Sequence, residues 1–177
     1  IRRIVVADGI PPERVTVVHS GIAVQEVRAR PPLGIRTQLG MPLRATLAVN
    51  VGALVPHKDQ ATLVATAGLL RNRLPNLYWV IAGEGELRPA LERQIGDLNL
   101  ADRIFLLGQI PDAVPLIADA DFFVSSSREE GLGTSLLDAM ALRVPVIATR
   151  AGGVPEIVGD DAGVLVPVGN EAALADA

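Results

Sequence analysis

In its second half, the chain reads Ser125-Ser-Ser-Arg-Glu-Glu-Gly-Leu-Gly-Thr-Ser-Leu-Leu-Asp-Ala-Met-Ala141. The apolar run Phe122–Ser125 at its start predicts a buried strand, and Gly133–Leu142 predicts a helix. An acidic loop that ends in Gly131-Leu-Gly133 joins the two. Because a buried strand, a loop and a helix in this order form the repeating unit of parallel sheets, this stretch predicts an α/β fold.

The alternation of strands and helices continues on both sides of this stretch. Further strands are predicted at Val15–Ser20, Thr46–Val51, Leu77–Ala82, Arg103–Leu107, Val144–Ala148 and Val164–Val166. Further helices are predicted at Asp59–Arg73, Glu86–Leu98, Asp112–Ala118 with Asp112 as its cap, and Val154–Val158, and both ends, Ile1–Asp8 and Glu171–Ala177, have helical character. The strands are nearly continuous runs of Val, Ile, Leu and Phe, as expected when helices cover both faces of a parallel sheet. The sequence therefore predicts a Rossmann-like, doubly wound sheet, in which only the polar stretch Gln25–Pro32 suggests a linker.

The composition limits the classes of function. The 177 residues are 49% hydrophobic, yet no apolar run approaches the roughly 18 residues needed to span a bilayer, so the apolar residues fit a buried sheet. A net charge of −4 disfavours nucleic acid as a partner, because nucleic acid requires a basic face. The sequence has no cysteine, which excludes disulfides, thiol catalysis and Cys-based zinc sites. We expect a cytoplasmic protein, with contact to the cytoplasmic face of a membrane left open.

Glycines mark the expected binding edge of the sheet. Doubly wound sheets bind ligands at the carboxyl ends of their strands. Gly52, Gly83 and Gly108 each follow a predicted strand. Because glycine has no Cβ, the backbone can approach a ligand at these points, although a turn is the common alternative for any one of them.

The amino end of the predicted helix at Gly133 is a candidate anion site. Its first-turn amides have no partners within the helix, and the helix dipole places partial positive charge there. Glu130 precedes the helix, and Asp138 lies roughly 7 Å along the axis from Gly133, about the span of a diphosphate. Carboxylates accept hydrogen bonds from vicinal hydroxyls. The spacing therefore predicts a nucleotide sugar, with its sugar at one carboxylate and its ribose at the other; solvated surface charges are the alternative.

A second element supplies positive charge. Lys58 ends the loop Val51-Gly-Ala-Leu-Val-Pro-His-Lys58 and comes just before a predicted helix. Its ammonium is placed to reach a phosphate that two strand ends share. A surface lysine is the common alternative, but a cation near a helix start is electrostatically unfavourable, which points towards a ligand.

The segment that begins at Glu130 resembles a motif of a known family. The group 1 glycosyltransferases, also called glycosyltransferase family 4, carry two carboxylates separated by seven residues, and the similar segment here is Glu130-Gly-Leu-Gly-Thr-Ser-Leu-Leu-Asp-Ala-Met-Ala141. Other segments resemble the rest of the family's pattern in the same order: a lead-in strand at 17–22, a phosphate loop at 49–58, a second glycine loop at 81–86 and a closing segment at 144–158 and 162–166. The resemblance covers most of the chain.

This resemblance implies a fold and an activity. The family has the GT-B fold, two Rossmann-like domains with a cleft between them, and residues 1–177 resemble the C-terminal, donor-binding domain. The chain lacks an initial Met and stops within a predicted helix, so we expect a fragment without the N-terminal acceptor domain and the final helices. Family members transfer a hexose from a UDP-, GDP- or ADP-linked sugar with retention of configuration, generally without a metal. The acceptor, a sugar, lipid or small molecule, is expected on the absent domain.

The resemblance also implies roles for individual residues. Glu130 would contact the transferred sugar, Lys58 the diphosphate and Asp138 the ribose, and Glu130 and Lys58 would be catalytic. The remaining donor-binding residues implied by the two motifs are Gly52, Ala53, Gly131, Leu132, Gly133 and Thr134.

Two residues depart from the family's pattern. The family usually has arginine where this chain has Ala53, and losing a charged hydrogen bond should weaken leaving-group stabilisation by about 1.5–3 kcal/mol. The second motif carboxylate is usually glutamate and is Asp138 here, one methylene shorter. A degenerate, non-catalytic binding domain therefore stays open as an alternative, as does another GT-B enzyme such as a nucleotide-sugar epimerase or a phosphorylase.

Other candidate residues carry weaker signals. His19 and His57 have no partners at metal-ligand spacing, although His57 stands beside Lys58 near the expected phosphates. Glu156 either lines the cleft or is an ordinary helix-start glutamate. Arg103 is expected to be a surface charge.

Overall fold

The computed structural model describes residues 2–18, 21–159 and 161–177. Within them the centre is a parallel sheet of strands β1 (Thr46–Val51), β2 (Leu77–Ala82), β3 (Ile104–Gly108), β4 (Phe122–Ser125), β5 (Val146–Thr149) and β6 (Val164–Val166). Their spatial order is β3-β2-β1-β4-β5-β6, and each neighbouring pair is parallel. This is the strand order of a Rossmann fold, in which the direction of winding reverses between β1 and β4.

Helices cover both faces of the sheet. In chain order they are α1 (Arg2–Ala7), α2 (Val24–Arg28), α3 (Ile35–Gln38), α4 (Gln60–Leu70), α5 (Arg88–Asp97), α6 (Val114–Ala118), α7 (Thr134–Ala141), α8 (Val154–Val158) and α9 (Glu171–Asp176). Buried residues of α4, α5 and α9 form one apolar cluster with the sheet, and those of α3, α6, α7 and α8 form the other. Side chains of β1 alternate between them, with Leu47 and Val49 in one cluster and Ala48 in the other. The doubly wound prediction is confirmed, and burial on both faces explains why the strands are so apolar.

The bounds of most elements agree with the sequence prediction. Five have the predicted ends, namely β1, β2, β4, α8 and β6, and the others differ by one to three residues. Helix α6 begins at Val114 rather than Asp112. The predicted cap at Asp112 is wrong: Ala113 is the N-cap residue, without a side-chain cap bond, and Asp112 lies one residue before it, where its carboxylate accepts a hydrogen bond from the amide of Val114 at 3.0 Å.

Two predictions in the first part of the chain are wrong. Val15–Val18 form no strand: no strand of the described sheet pairs with them, and Val18 is 86% exposed. His19 and Ser20, the rest of that predicted strand, lie outside the described residues. The suggested linker Gln25–Pro32 contains most of α2 instead, and Arg28 Nε donates to the carbonyl oxygen of Ala141 at 2.7 Å.

The sequence pattern did not predict the short helix α3. Contacts with residues distant in the chain hold this helix in place. Ile35 is 2% exposed, and its amide donates to Asp119 Oδ2 at 2.9 Å. Arg36 donates to the carbonyl oxygens of Ala45 at 3.0 Å and Asp119 at 2.7 Å. It also pairs with Asp121 at 2.5 Å, beside the amino end of β4. This segment therefore covers the amino end of the sheet and leaves the carboxyl end for the loops described next.

Candidate functional site

The loops at the carboxyl edge of the sheet are joined to one another by backbone hydrogen bonds. Each pair of neighbouring strands has such a bond between its following loops or strand ends: Gly83 N to Gly108 O at 2.8 Å, Leu54 N to Glu84 O at 2.9 Å, Arg128 N to His57 O at 2.7 Å, Gly153 N to Glu130 O at 3.0 Å, and Arg150 N to Val166 O at 2.9 Å. The sequence-predicted site residues all lie on these loops or on α7. Open α/β sheets bind their ligands at the strand reversal, which is here between β1 and β4.

Lys58 and Glu130 meet at this reversal. Lys58 follows β1 and Glu130 follows β4, and Lys58 Nζ lies 2.5 Å from Glu130 Oε2. The hydroxyl of Ser127 donates to the same carboxylate oxygen at 3.2 Å. The two charged side chains are only 23% and 12% exposed. The structure therefore brings together the two residues that the sequence analysis selected for catalysis, and adds Ser127, whose only sequence signal is a hydroxyl at the end of a strand.

Beside this pair lies an open groove of about 440 Å³, lined by His57, Glu129, Glu130, Gly131 and Gly152. Its volume is in the range of small-molecule sites. Leu132, the residue after Gly131 of the groove, is 39% exposed. Helix α7 begins immediately after Gly133, which is left-handed at φ +58°, and none of the described side chains caps it. The loop after β4 thus carries both Glu130, which pairs with Lys58, and, three residues later, Gly133 at the start of α7.

Gly152 and Gly131 both line this groove, but a side chain at the two positions would have different surroundings. A Cβ on Gly152 would lie 2.1 Å from the carbonyl oxygen of Glu130, and its φ is +49°. Here glycine is required by the close approach of the loop after β5 to the loop after β4. A Cβ on Gly131 would meet no atom within 4 Å. The described residues therefore give no reason for glycine at 131, and a ligand in the groove would give one.

At the loop after β2 the glycines serve contacts between loops. A Cβ on Gly83 would lie 1.9 Å from the carbonyl oxygen of Gly52, and one on Gly85 would lie 2.3 Å from that of Leu54. At Gly83 glycine is therefore required by the close approach of a neighbouring loop, which is neither a ligand contact nor the turn considered from the sequence. The loop after β2 therefore holds the loop after β1 in place.

Asp138 lies on the half-buried face of α7 and is not among the described residues that line the groove. It shares this face with Ser135, three residues earlier, whose hydroxyl donates to the carbonyl oxygen of Val51 at 3.4 Å. Burial raises the pKa of the Asp138 carboxyl, and the charge of nearby Asp112 raises it further. Asp138 therefore lies at the same edge of the sheet as Glu130, in an environment that disfavours its charge.

Ala53 lies in the loop after β1. Ala53 is exposed, and its carbonyl oxygen accepts a hydrogen bond from Gln60 Nε2 at 3.0 Å. Gly52 lies beside it, with the aliphatic stem of Lys58 3.6 Å from the position of a Cβ. Position 53 therefore carries no cationic side chain.

The weaker candidates have separate positions. His57 lines the groove, whereas Glu156 is exposed in the first turn of α8. Arg103 stacks on the ring of Tyr78 at 4.7 Å and pairs with Asp102 at 3.3 Å, so it is more than a solvated charge. Among the described residues, no three His, Asp or Glu side chains are grouped as metal ligands.

The chain belongs to the family described as glycosyl transferases group 1, whose pattern matches residues 34–177. Its fold is one half of a GT-B fold. The Anabaena protein Alr3699/HepE, solved in complex with UDP, superposes with a TM-score of 0.90 at 25% identity, over 99% of this chain and 50% of that chain. The C-terminal domain of LpcC, a glycosyl transferase group 1 family protein from Francisella tularensis, superposes with a TM-score of 0.70 at 26% identity, over 88% of this chain and 85% of that chain.

A curated relative supports the same family. The lipopolysaccharide core biosynthesis glycosyltransferase LpsE of Rhizobium meliloti is 32% identical over 136 residues, which are 76% of this chain and 39% of LpsE. The chain spans less than half the length of the curated relatives that it matches. No helix in the described ranges combines the length and the apolar character needed to cross a membrane.

The two groove glycines should respond differently to an added methyl group. Gly152→Ala should destabilise the fold by more than about 1 kcal/mol, because it combines a positive φ with a clash against backbone. Gly131→Ala should change stability by less than about 0.5 kcal/mol. Urea unfolding of both variants measures the difference, and equal destabilisation would contradict the contrast between the two sites.

Asp138→Asn should stabilise the fold at neutral pH. Because the pKa of Asp138 is raised in the folded chain, the folded state binds the proton more tightly than the unfolded state. The resulting stabilisation is complete below the ordinary pKa of 3.8 and is lost as the pH rises through the raised pKa. Asparagine cannot ionise, so the variant's advantage over the native chain should grow over that interval. Unfolding free energies of the variant and the native chain from pH 3 to pH 8 measure this advantage. Asp8→Asn, at an exposed residue, is the control. A difference between Asp138→Asn and the native chain that does not change with pH would refute the burial effect.

Proposed function

We propose that the chain is the donor-binding half of a retaining glycosyltransferase, which transfers a hexose from a nucleoside diphosphate sugar to an acceptor hydroxyl. The observation that carries the proposal is the Lys58–Glu130 pair at the strand reversal, beside a groove into which Gly131 presents no side chain. A cation for a diphosphate and a carboxylate for sugar hydroxyls thus stand side by side. Membership of the group 1 family supports the same interpretation.

The donor is placed by matching its parts to these residues. The diphosphate lies over the amino end of α7, where unpaired amides and the helix dipole favour an anion. Lys58 Nζ contacts the phosphate oxygens, and Glu130 accepts hydrogen bonds from hydroxyls of the hexose. The ribose extends towards Asp138, on the α7 face that carries Ser135. Binding exchanges the 2.5 Å contact between Lys58 and Glu130 for contacts of each with the donor.

The same residues act in the transfer step. The bond between the anomeric carbon and the β-phosphate oxygen breaks, and negative charge grows on the departing diphosphate. A bond from the anomeric carbon to the acceptor oxygen forms, and the proton of the acceptor hydroxyl passes to the departing diphosphate. Lys58 and the amides at the start of α7 stabilise that charge, and such stabilisation of developing charge usually contributes more to catalysis than any other effect. Both groups are held before the reaction begins, so little reorganisation is needed.

The relatives leave the nucleotide open. One solved relative, HepE of Anabaena, is a complex with UDP, and a mannosyltransferase of Mycolicibacterium smegmatis that is 35% identical over 144 residues is named as GDP-mannose-dependent. We propose a UDP-, GDP- or ADP-linked sugar as the donor. Titration with the three nucleotides identifies which one the site prefers.

The acceptor belongs to a longer protein in this proposal. An N-terminal domain binds the acceptor sugar, lipid or small molecule and closes the cleft over the donor. Closure excludes water, which would otherwise hydrolyse the donor. The chain alone should therefore bind the donor weakly and transfer sugar slowly.

A second candidate function is supported by Ala53. A methyl group at this exposed position supplies no positive charge to a leaving diphosphate. If catalysis in this family depends on that charge, the chain is a nucleotide-sugar-binding domain that has lost transfer activity. The two candidates share the donor site and differ only in the transfer step.

Calorimetric titration of the chain with UDP, GDP and ADP tests the donor site. We expect one of the three to bind at millimolar concentration or below, and Lys58→Ala to weaken its binding at least about tenfold, roughly 1.4 kcal/mol. Gly131→Ala should also weaken binding, because its methyl group holds the ligand away from the backbone amides. Arg73→Ala, at an exposed cation outside the groove, is the control. Absence of binding for all three nucleotides at millimolar concentration contradicts the assignment.

Restoring a guanidinium at position 53 separates the two candidates. In the full-length protein, Ala53→Arg should raise the transfer rate about tenfold or more, because a charged hydrogen bond contributes about 1.5–3 kcal/mol. Ala53→Gln, which adds a polar side chain without charge, is the control. Release of the free nucleotide from the sugar donor, measured with acceptor present, gives the rate. No transfer by the native protein or by Ala53→Arg, together with nucleotide binding by both, would identify a binding domain.

A further inference from the structure

Three consecutive residues of the loop after β1 are held by the loop after β4. The carbonyl oxygen of His57 accepts hydrogen bonds from the amides of Arg128 at 2.7 Å and Glu129 at 3.3 Å. The carbonyl oxygen of Lys58 accepts one from the hydroxyl of Ser126 at 3.1 Å. The loop that carries Glu130 therefore also fixes the backbone from which Lys58 extends.

The third residue, Asp59, is held by an ion pair. Arg128 Nε lies 2.9 Å from Asp59 Oδ2, and the hydroxyl of Thr62 donates to the same oxygen at 2.8 Å. Asp59 is 7% exposed and has a left-handed backbone with φ +48°, which is uncommon for a residue other than glycine. A buried carboxylate requires a partner for its charge, and Arg128 supplies it. The unusual backbone of Asp59 turns the chain directly after Lys58.

Arg128 also lies beside a third loop. A Cβ on Gly169, in the turn after β6, would lie 3.3 Å from Arg128 Nη2. The guanidinium therefore occupies the space into which a side chain at 169 would project, while its Nε faces Asp59. One arginine thus connects the loops after β1, β4 and β6 around the Lys58–Glu130 pair.

We propose that Arg128 is a positioning residue, which acts through Asp59 to hold Lys58 in register with Glu130. The inference rests on the proposed function, because it assigns Arg128 a part in placing the cation that meets the diphosphate. A lysine side chain has four flexible carbons, so its charge is well placed only when its backbone is fixed. Arg128 itself is committed to Asp59 and the Gly169 turn.

The test compares Arg128→Ala, Arg128→Lys and Arg73→Ala in the full-length protein. Arg73 is the matched control, because it also pairs with an aspartate, Asp176 at 3.5 Å, but outside the site. Misplacement by about 1 Å can cost up to about 100-fold in rate, so Arg128→Ala should lower kcat by about tenfold to 100-fold while the donor KM changes less. Arg128→Lys should recover part of the loss, and Arg73→Ala should stay within about twofold of the native rate.

A second variant addresses folding. Arg128→Ala leaves the buried Asp59 carboxylate without its cationic partner and with only the Thr62 hydroxyl on that oxygen, which destabilises the fold. The double variant R128A/D59N removes both charges and should recover the thermal midpoint but not kcat. Native kcat in the double variant, or in Arg128→Ala, overturns the proposal.

Hydrogen exchange separates this proposal from the proposed function. The amides of residues 126–130, two of which donate to the carbonyl oxygen of His57, should exchange faster in Arg128→Ala and R128A/D59N than in the native protein. In Arg73→Ala their exchange rates should be the same as in the native protein. Unchanged exchange in the Arg128 variants overturns the positioning role. If the native protein binds no nucleotide and transfers no sugar while the exchange difference persists, the proposed function fails and the structural link between the loops stands.

Discussion

The ion pair between Lys58 and Glu130 depends on the order of the strands. The two residues are 72 positions apart in the chain, and they meet because β1 and β4 are neighbours at the centre of the sheet. In the Rossmann order, β2 and β3 lie on one side of β1, so the chain returns across β1 to place β4 on its other side. Only that crossing brings the loop with the cation beside the loop with the carboxylate.

Much of the fold could be predicted from sequence, because the strands are buried on both faces and are therefore apolar throughout. The same reasoning misassigned Val15–Val18, where an apolar composition exists without a partner strand. It predicted no element at α3, whose residues Ile35 and Arg36 bond to Asp119, 84 and 83 positions further along the chain. A helix of four residues has too little periodicity to detect, and such distant partners leave no local signal.

The candidate site divides in the same way. Lys58 and Glu130 could be selected because each follows a strand end, and the structure brings them together. Sequence reasoning could not separate Gly131 from Gly152, since the difference lies in which atoms face each glycine. It also missed Arg128, whose partner Asp59 belongs to another loop and has a left-handed backbone that residue type does not reveal.

The backbone hydrogen bonds that join neighbouring loops have a consequence for motion. The amides and carbonyls that connect the loops from β3 to β6 would have to break for any one of these loops to swing away as a lid. This edge of the sheet is therefore stiff. In a two-domain enzyme built on it, the cleft would open and shut by a hinge rotation of whole domains, with the donor carried on a rigid platform.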